Sequence, residues 1–341
     1  MSILSEQSRQ QRQTINTLRQ ALRPYARAGY GPALWQLAST LGAYLALWVL
    51  MAILVRYDLP FWLFIVPVAI AAGLLVRLFI FFHDCTHSSF LPSRRGNRIV
   101  GYLTGALTFT PFDSWGRAHL VHHGTYGDLD RRGVGDIWTL TVEEYRASPW
   151  YRRLGYRLFR NPFVFLGVGP AYQFLVLNRL YVKGQGASER RSVNITNALI
   201  LVMIGIGGLT VGWKAYLLIQ SAVMLTAGTL GVWLFYVQHQ FEGGYWARHE
   251  EWDPLVAAMK GCSYYKLPKV LQWITGNIGL HHVHHLLPRI PNYRLQECYD
   301  EIPALQEVTP LTLRKSLKSL FLNLWDEQRQ RLVSFRALRS T

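Results

Sequence analysis

Eight of the eleven histidines hold the motif positions of three short boxes. His83-Asp-Cys-Thr-His87 sets two of them four residues apart. His119-Leu-Val-His122-His123 and His281-His-Val-His284-His285 combine spacings of three and four, with His282 extra in the last. On a helix, residues at those spacings share a face, with Cβ atoms about 5–6 Å apart. Each box can therefore aim two or three imidazoles at one point. His239, in Val-Gln-His-Gln-Phe-Glu at the end of an apolar run, is a ninth candidate ligand. His249 and His282 read as ordinary packing or surface histidines.

Nine imidazoles exceed the about four to six ligands that one ion takes, so two ions sharing them fit better. Imidazole accepts zinc, copper, iron or nickel, and the ligand type leaves the metal open. Metal-bound rings usually donate their second N–H to a carboxylate, and Asp84, Asp128, Asp130, Asp136 and Glu242 are near in sequence. Asp128 and Asp130 read equally well as solvated surface charges.

The elements that position these boxes are apolar and long. Half of the chain is hydrophobic and only 16% is charged, against roughly 25% in soluble domains. Four stretches reach the about 20 residues needed to cross a bilayer: residues 33–55, 60–82, 192–213 and 215–241, of which the second carries only Arg77. They form two hairpins, linked by residues 56–59 and by Lys214. Residues 99–112 are too short to span, and residues 161–178 are broken by Pro162, Gly167, Gly169 and Pro170. Both read as interfacial or re-entrant helices.

Charge supports the same topology. Of 36 Lys and Arg residues, 5 lie in residues 1–32, 15 in residues 83–191 and 13 in residues 242–341. Four spans put all three segments on one side, and the positive-inside rule makes that side cytoplasmic. The boxes at the ends of the spans then meet at one membrane surface.

The expected fold is an all-α integral membrane protein with interfacial helices and a cytoplasmic helical cap carrying the boxes. Residues 1–32 form an amphipathic N-terminal segment (Ile15, Leu18 and Leu22 at helical spacing) and residues 33–301 the membrane domain. Residues 302–341 form a C-terminal amphipathic helix region, with Thr309-Pro310 as its start and Leu313, Leu317, Leu320, Phe321 and Leu324 as its apolar stripe. The long first apolar run is not the short core of a cleavable signal peptide. Cys85, Cys262 and Cys298 are too few and too scattered for a disulfide framework and read as packed thiols. The basic residues follow membrane sidedness and no recognition motif is present, which argues against nucleic-acid binding.

The boxes resemble those of the membrane fatty acid desaturases. The likeness runs from about Leu74 to Leu338 and includes Trp115-Gly-Arg-Ala-His119, Leu129-Asp-Arg-Arg-Gly-Val-Gly-Asp-Ile-Trp138, Gly231-Val-Trp-Leu-Phe-Tyr-Val-Gln-His239, Tyr264-Tyr-Lys-Leu-Pro-Lys269, Gly276-Asn-Ile-Gly-Leu-His281 and Pro288-Arg-Ile-Pro-Asn-Tyr293. It is strongest to bacterial acyl-lipid desaturases of the delta-5 type. The resemblance implies a non-haem di-iron centre with His83, His87, His119, His122, His123, His239, His281, His284 and His285 as ligands. It also implies dioxygen as co-substrate, a lipid-esterified acyl chain as substrate, and electrons from an external ferredoxin or flavodoxin. A multi-pass location in a bacterial inner membrane follows, with both termini and the boxes cytoplasmic.

Two departures from the acyl-CoA members stand out. Their first box is H-x-x-x-x-H, which this chain lacks, and an asparagine four residues before the extra histidine is Phe235 here. Asn277 is a candidate to hold a metal-bound water, or equally a turn residue in Gly-Asn-Ile-Gly. Phe112, Trp115 and Trp138 are candidates to line an acyl tunnel. Rival readings of the same scaffold are a lipid hydroxylase or ketolase, a zinc-dependent membrane hydrolase and a non-enzymatic lipid sensor.

Overall fold

A computed structural model describes residues 17–339. Ile15 and the first half of the N-terminal amphipathic segment, residues 1–16, lie outside the described residues. The helix at residues 17–22 runs into a short turn at Arg23–Tyr25, with Leu22 fully buried.

Six helices carry the fold: α1 (Tyr30–Arg56), α2 (Ile65–Thr86), α3 (Arg94–Leu107), α4 (Phe112–Thr125), α5 (Ala187–Val211) and α6 (Trp213–His239). Four are long and apolar enough to cross a membrane: α1, α2 with the turn before it, α5 and α6. The turn between α1 and α2 is made by Asp58 at φ 50° and Pro60. Asp tolerates that left-handed conformation better than most side chains. The second hairpin turns at Gly212, not at Lys214, which lies inside α6. Gly212 has φ 95°, which a side chain would oppose, so a single glycine ends one helix and begins the next.

α2 is the central span, with 56% of its apolar window buried against 22% for α1 and 28% for α5. It packs against α1, α3 and α6. Leu74, Leu75, Leu78, Phe81 and Phe82 form its part of the core. α3 starts where the Ser93 side chain accepts from Gly96 N–H, a cap that lets the chain turn back after the first box. α3 and α4, joined through Phe109 at φ 54° and Pro111, have 14 residues each, too few to span, and α3 packs against α2.

The remainder forms the cap. A short helix, α7 (His281–Leu286), carries the third box. The described residues hold five short strands, β1 (Leu140–Thr141), β2 (Tyr264–Lys266), β3 (Pro310–Thr312), β4 (Leu324–Asp326) and β5 (Arg331–Val333), in sheets ordered β1-β4-β5 and β2-β3. The C-terminal region is therefore not one amphipathic helix. Pro310–Thr312 pairs in parallel with Tyr264–Lys266, and Thr312 rather than Thr309 caps a single helical turn. Leu313, Leu317 and Phe321 remain exposed, while Ser316 and Ser319 are buried. Hydrogen bonds explain the inversion: Ser316 Oγ meets the Tyr265 hydroxyl at 3.2 Å and Tyr236 OH donates to Ser319 O at 2.9 Å. The broken segment at residues 161–178 forms a π turn (Val164–Val168) and a short helix (Gly169–Leu175), with Phe163, Val168 and Tyr172 exposed as in an interfacial element.

Candidate metal centre

Four elements deliver the nine histidines to one place. The C-terminal end of α2 brings His83 and His87, α4 brings His119, His122 and His123, the last residue of α6 is His239, and α7 brings His281, His284 and His285. Each helical residue turns about 100° from the last. His119 and His123 therefore share a face, while His122 points elsewhere. The same holds for His281 and His285 against His284.

The rings sort into two groups on that basis. One comprises His83, His87, His119, His123 and His284; the other His122, His239, His281 and His285. Within each, the candidate ligand atoms all lie within 4.8 Å of one another. In the first, His123 Nε2 is 3.1 Å from His119 Nε2 and 3.0 Å from His284 Nε2. In the second, His239 Nε2 is 3.0 Å from both His122 Nε2 and His281 Nε2. Two nitrogens each about 2.1 Å from one ion, at right angles, would stand about 3 Å apart. His87 Nε2 and His285 Nε2 are buried with no hydrogen-bond partner among the described residues. Such orphaned acceptors are costly without a cation, so the residues present fit two metal ions.

The electrostatics agree. Burial first, then repulsion from neighbouring rings, holds His87, His119, His123, His281, His284 and His285 well below the usual imidazole range. At neutral pH these rings are uncharged and offer a lone pair, the form a metal binds.

Two of the expected carboxylates touch the rings. Asp136 Oδ1 lies 2.6 Å from His122 Nδ1, and Asp84 Oδ1 lies 3.2 Å from His83 Nδ1. Others do not. Glu242 is exposed and faces Lys318 at 3.7 Å, because the chain leaves the protein interior two residues after His239. Asp128 is buried between Arg131 and His249, and Asp130 pairs with Arg248; both brace loops away from the rings. Asn277 takes φ 58° and its amide donates to Asn292 O at 3.1 Å, which makes it a turn residue. His282 meets Leu305 O at 3.1 Å and belongs to neither group.

Around the site, Trp115 stacks on His119 with ring centroids 4.3 Å apart, and Phe112 packs edge-on against Phe82. Phe235 lies over His122 and His239 at 5.4 and 5.1 Å. Trp138 instead packs on Tyr156 and Phe159, because the loop after Asp136 leads away from the boxes. Three supporting residues escaped sequence reasoning. Asn292 donates through its backbone and side-chain N–H to Asp84 Oδ2 at 2.7 and 2.9 Å. Tyr126 covers His239 at 4.1 Å and donates to its carbonyl oxygen. Cys262 Sγ lies 3.9 Å from His239 Nδ1. Asn292 sits in the Pro-Asn-Tyr motif quoted above; nothing local marks the other two.

Fold and site define a polytopic, mostly helical membrane protein with histidine clusters at the ends of its spans. A family model described as fatty acid desaturase matches residues 60–315. A fatty acid desaturase of Bacillus subtilis (strain 168) is 46% identical over 307 residues, 90% of this chain and 87% of that protein. An sn-1 oleoyl-lipid 12-desaturase of Synechocystis is 26% identical over 238 residues, 65% of this chain and 63% of its own. An sn-1 acyl-lipid omega-3 desaturase (ferredoxin) of Nostoc is 25% identical over 267 residues, 73% and 69% of the two chains. The chain belongs to the fatty acid desaturase family and is an oxidoreductase of that family.

Proposed function

We propose that this desaturase introduces a cis double bond into acyl chains esterified in membrane lipids, using dioxygen and two iron ions held by the nine histidines. The sorting of those histidines into a set of five and a set of four carries the reading. When bound, the iron pair would supply the redox chemistry by which dioxygen removes two hydrogens from adjacent methylenes. The chain's own part is positioning and exclusion. Neutral imidazoles offer their lone pairs, while Asp84 and Asp136 accept from the outer ring nitrogens and so set tautomer and orientation. Trp115 and Phe235 wall the centre with apolar surface and keep water from it, with Phe112 packed behind Phe82.

Electrons come from an external ferredoxin- or flavodoxin-type protein, a reading supported by the ferredoxin in the name of the Nostoc relative. The three basic segments, the boxes and both termini face the cytoplasm of a bacterial inner membrane, as the distribution of Lys and Arg favours. The likeness of the boxes to those of delta-5 enzymes makes that position the first to look for, and the length and bend of the acyl tunnel set the bond.

Expression in a bacterial host without desaturases, followed by gas chromatography–mass spectrometry of its lipids, tests the proposal. New monounsaturated chains on phospholipids are expected, and dimethyl disulfide adducts locate the bond. Hydroxylated chains without new double bonds would overturn it, as would purified protein holding zinc and no iron.

A further inference from the structure

Arg77 is the one charged residue within the apolar part of the central span, and it is 3% exposed. Its Nε donates to Thr40 Oγ1 at 3.2 Å and one Nη donates to Trp273 O. Its guanidinium also lies 4.1 Å from the Trp273 ring centroid. No Asp or Glu among the described residues forms an ion pair with it. A cation inside a span normally faces a counter-charge or a polar cavity, because its burial is otherwise expensive.

Arg77 faces a cavity of about 620 Å³ between α1, α2 and the short helix Lys269–Ile274. That is within the range of small-molecule sites. Lys269 is a second cation in the wall, and Trp35 and Trp273, 74% and 48% exposed, mark the mouth. Exposed tryptophans on spanning and interfacial helices sit at the level of lipid headgroups. The cavity also contains acceptors in search of donors. Gln36 Oε1 and Asn292 Oδ1 are buried without a partner among the described residues. Asp300, the acid in the lining, already accepts from Gln296 Nε2 at 2.8 Å.

We infer that this cavity binds the headgroup of the lipid substrate: a phosphodiester on Arg77 and Lys269, whose hydroxyl or ammonium group donates to Gln36 Oε1 and Asn292 Oδ1. The phosphate is the anion Arg77 lacks, and guanidinium–phosphate pairs are strong in a low dielectric. Asn292 gives the cavity a direct link to the centre, since it also holds Asp84, which meets His83. Arg77 precedes His83 by six residues on the same helix, about 9 Å along its axis. A headgroup held there anchors the acyl chain beside the five-histidine set. The inference rests on the acyl-lipid reading, but binding can be measured without turnover.

The test is native mass spectrometry of the detergent-solubilised full chain with phosphatidylglycerol, phosphatidylethanolamine, phosphatidylcholine and diacylglycerol of matched acyl chains, and with inorganic phosphate as competitor. Phosphatidylglycerol and phosphatidylethanolamine should bind best, phosphatidylcholine less for want of a donor, and diacylglycerol least. Arg77→Gln should weaken phosphatidylglycerol binding about tenfold and leave diacylglycerol unchanged, with Arg77→Lys retaining part of the affinity. Lys269→Gln, at an exposed position where folding is not at issue, should weaken it about two- to threefold. Wild-type binding by both Lys269→Gln and a monodisperse Arg77→Gln protein would overturn the inference. So would equal affinity for all four lipids. Displacement by inorganic phosphate at concentrations equal to the lipid's would make this a free-anion site and also overturn it. Desaturation in the host is scored separately, so failure of the headgroup site and failure of the desaturase reading give different results.

Discussion

Asp136 holds His122 from the side opposite the metal group: Oδ1 stands 2.6 Å from Nδ1, and both side chains are 2% exposed or less. The loop that brings Asp136 there is closed by the same carboxylate, whose other oxygen accepts from Gly133 N–H at 3.1 Å. One acid thus fixes a ring of the four-histidine set and the turn behind it.

Asp136→Asn should therefore lower iron retention and turnover by about 10–100-fold, the usual cost of losing such a partner. Iron per chain after dialysis against a chelator, measured by plasma mass spectrometry, checks it. An unchanged iron content would remove Asp136 from the centre.

His123 and His282 provide an internal contrast. His123→Ala removes a ring from the five-histidine set and should abolish desaturation while halving bound iron. His282→Ala removes the contact to Leu305 O and the ring's packing on Tyr264 and Tyr299 but no ring of either group, so activity should persist, with about 1–3 kcal/mol lost in stability. Lipid analysis of hosts expressing each variant, with iron quantification, separates the two. Equal loss in both would contradict the assignment of ligands.

Acid should weaken the metal-free protein. The buried box histidines outside the spans have depressed proton affinity in the folded chain, whereas unfolded imidazoles titrate near 6.5. Below that pH the unfolded state binds more protons, so stability is fully present above about pH 7 and falls as pH drops toward the folded-state values. Thermal unfolding of the chelated protein between about pH 8 and pH 5 should show a falling Tm. Bound iron should be released over the same range, because protons compete for the ligands.

Gly105→Ala should loosen the platform under the first box. A Cβ at this position in α3 would lie 2.6 Å from the Thr110 backbone oxygen and 2.9 Å from the Phe82 ring. Backbone cannot yield as a flexible side chain does, so about 1–3 kcal/mol of destabilisation is expected. A fall of several degrees in Tm, with iron binding retained at low temperature, is the outcome to look for.

Much of the organisation was readable along the chain. The four spans differ from the expected ones mainly at the ends near the histidine boxes, where α2 continues to Thr86 and α5 begins at Ala187. Hydropathy marks where lipid contact stops, but hydrogen bonding carries a helix further into water. The C-terminal region departs from the expected helix because helical spacing of leucines does not reveal a competing strand. Pro310–Thr312 finds its partner in Tyr264–Lys266, far back in the sequence.

The box spacings alone determined that each box could aim two or three imidazoles at one point, since residues three and four apart on a helix are neighbours. Helical geometry is local, and i and i+4 lie almost in line. Only the tertiary structure decided which pair joins which group. His119 and His123 side with His83 and His87, while His281 and His285 side with His239. That choice depends on how α4 and α7 are set against the ends of α2 and α6, through contacts distant in sequence such as the hydrogen bonds from Asn292 to Asp84.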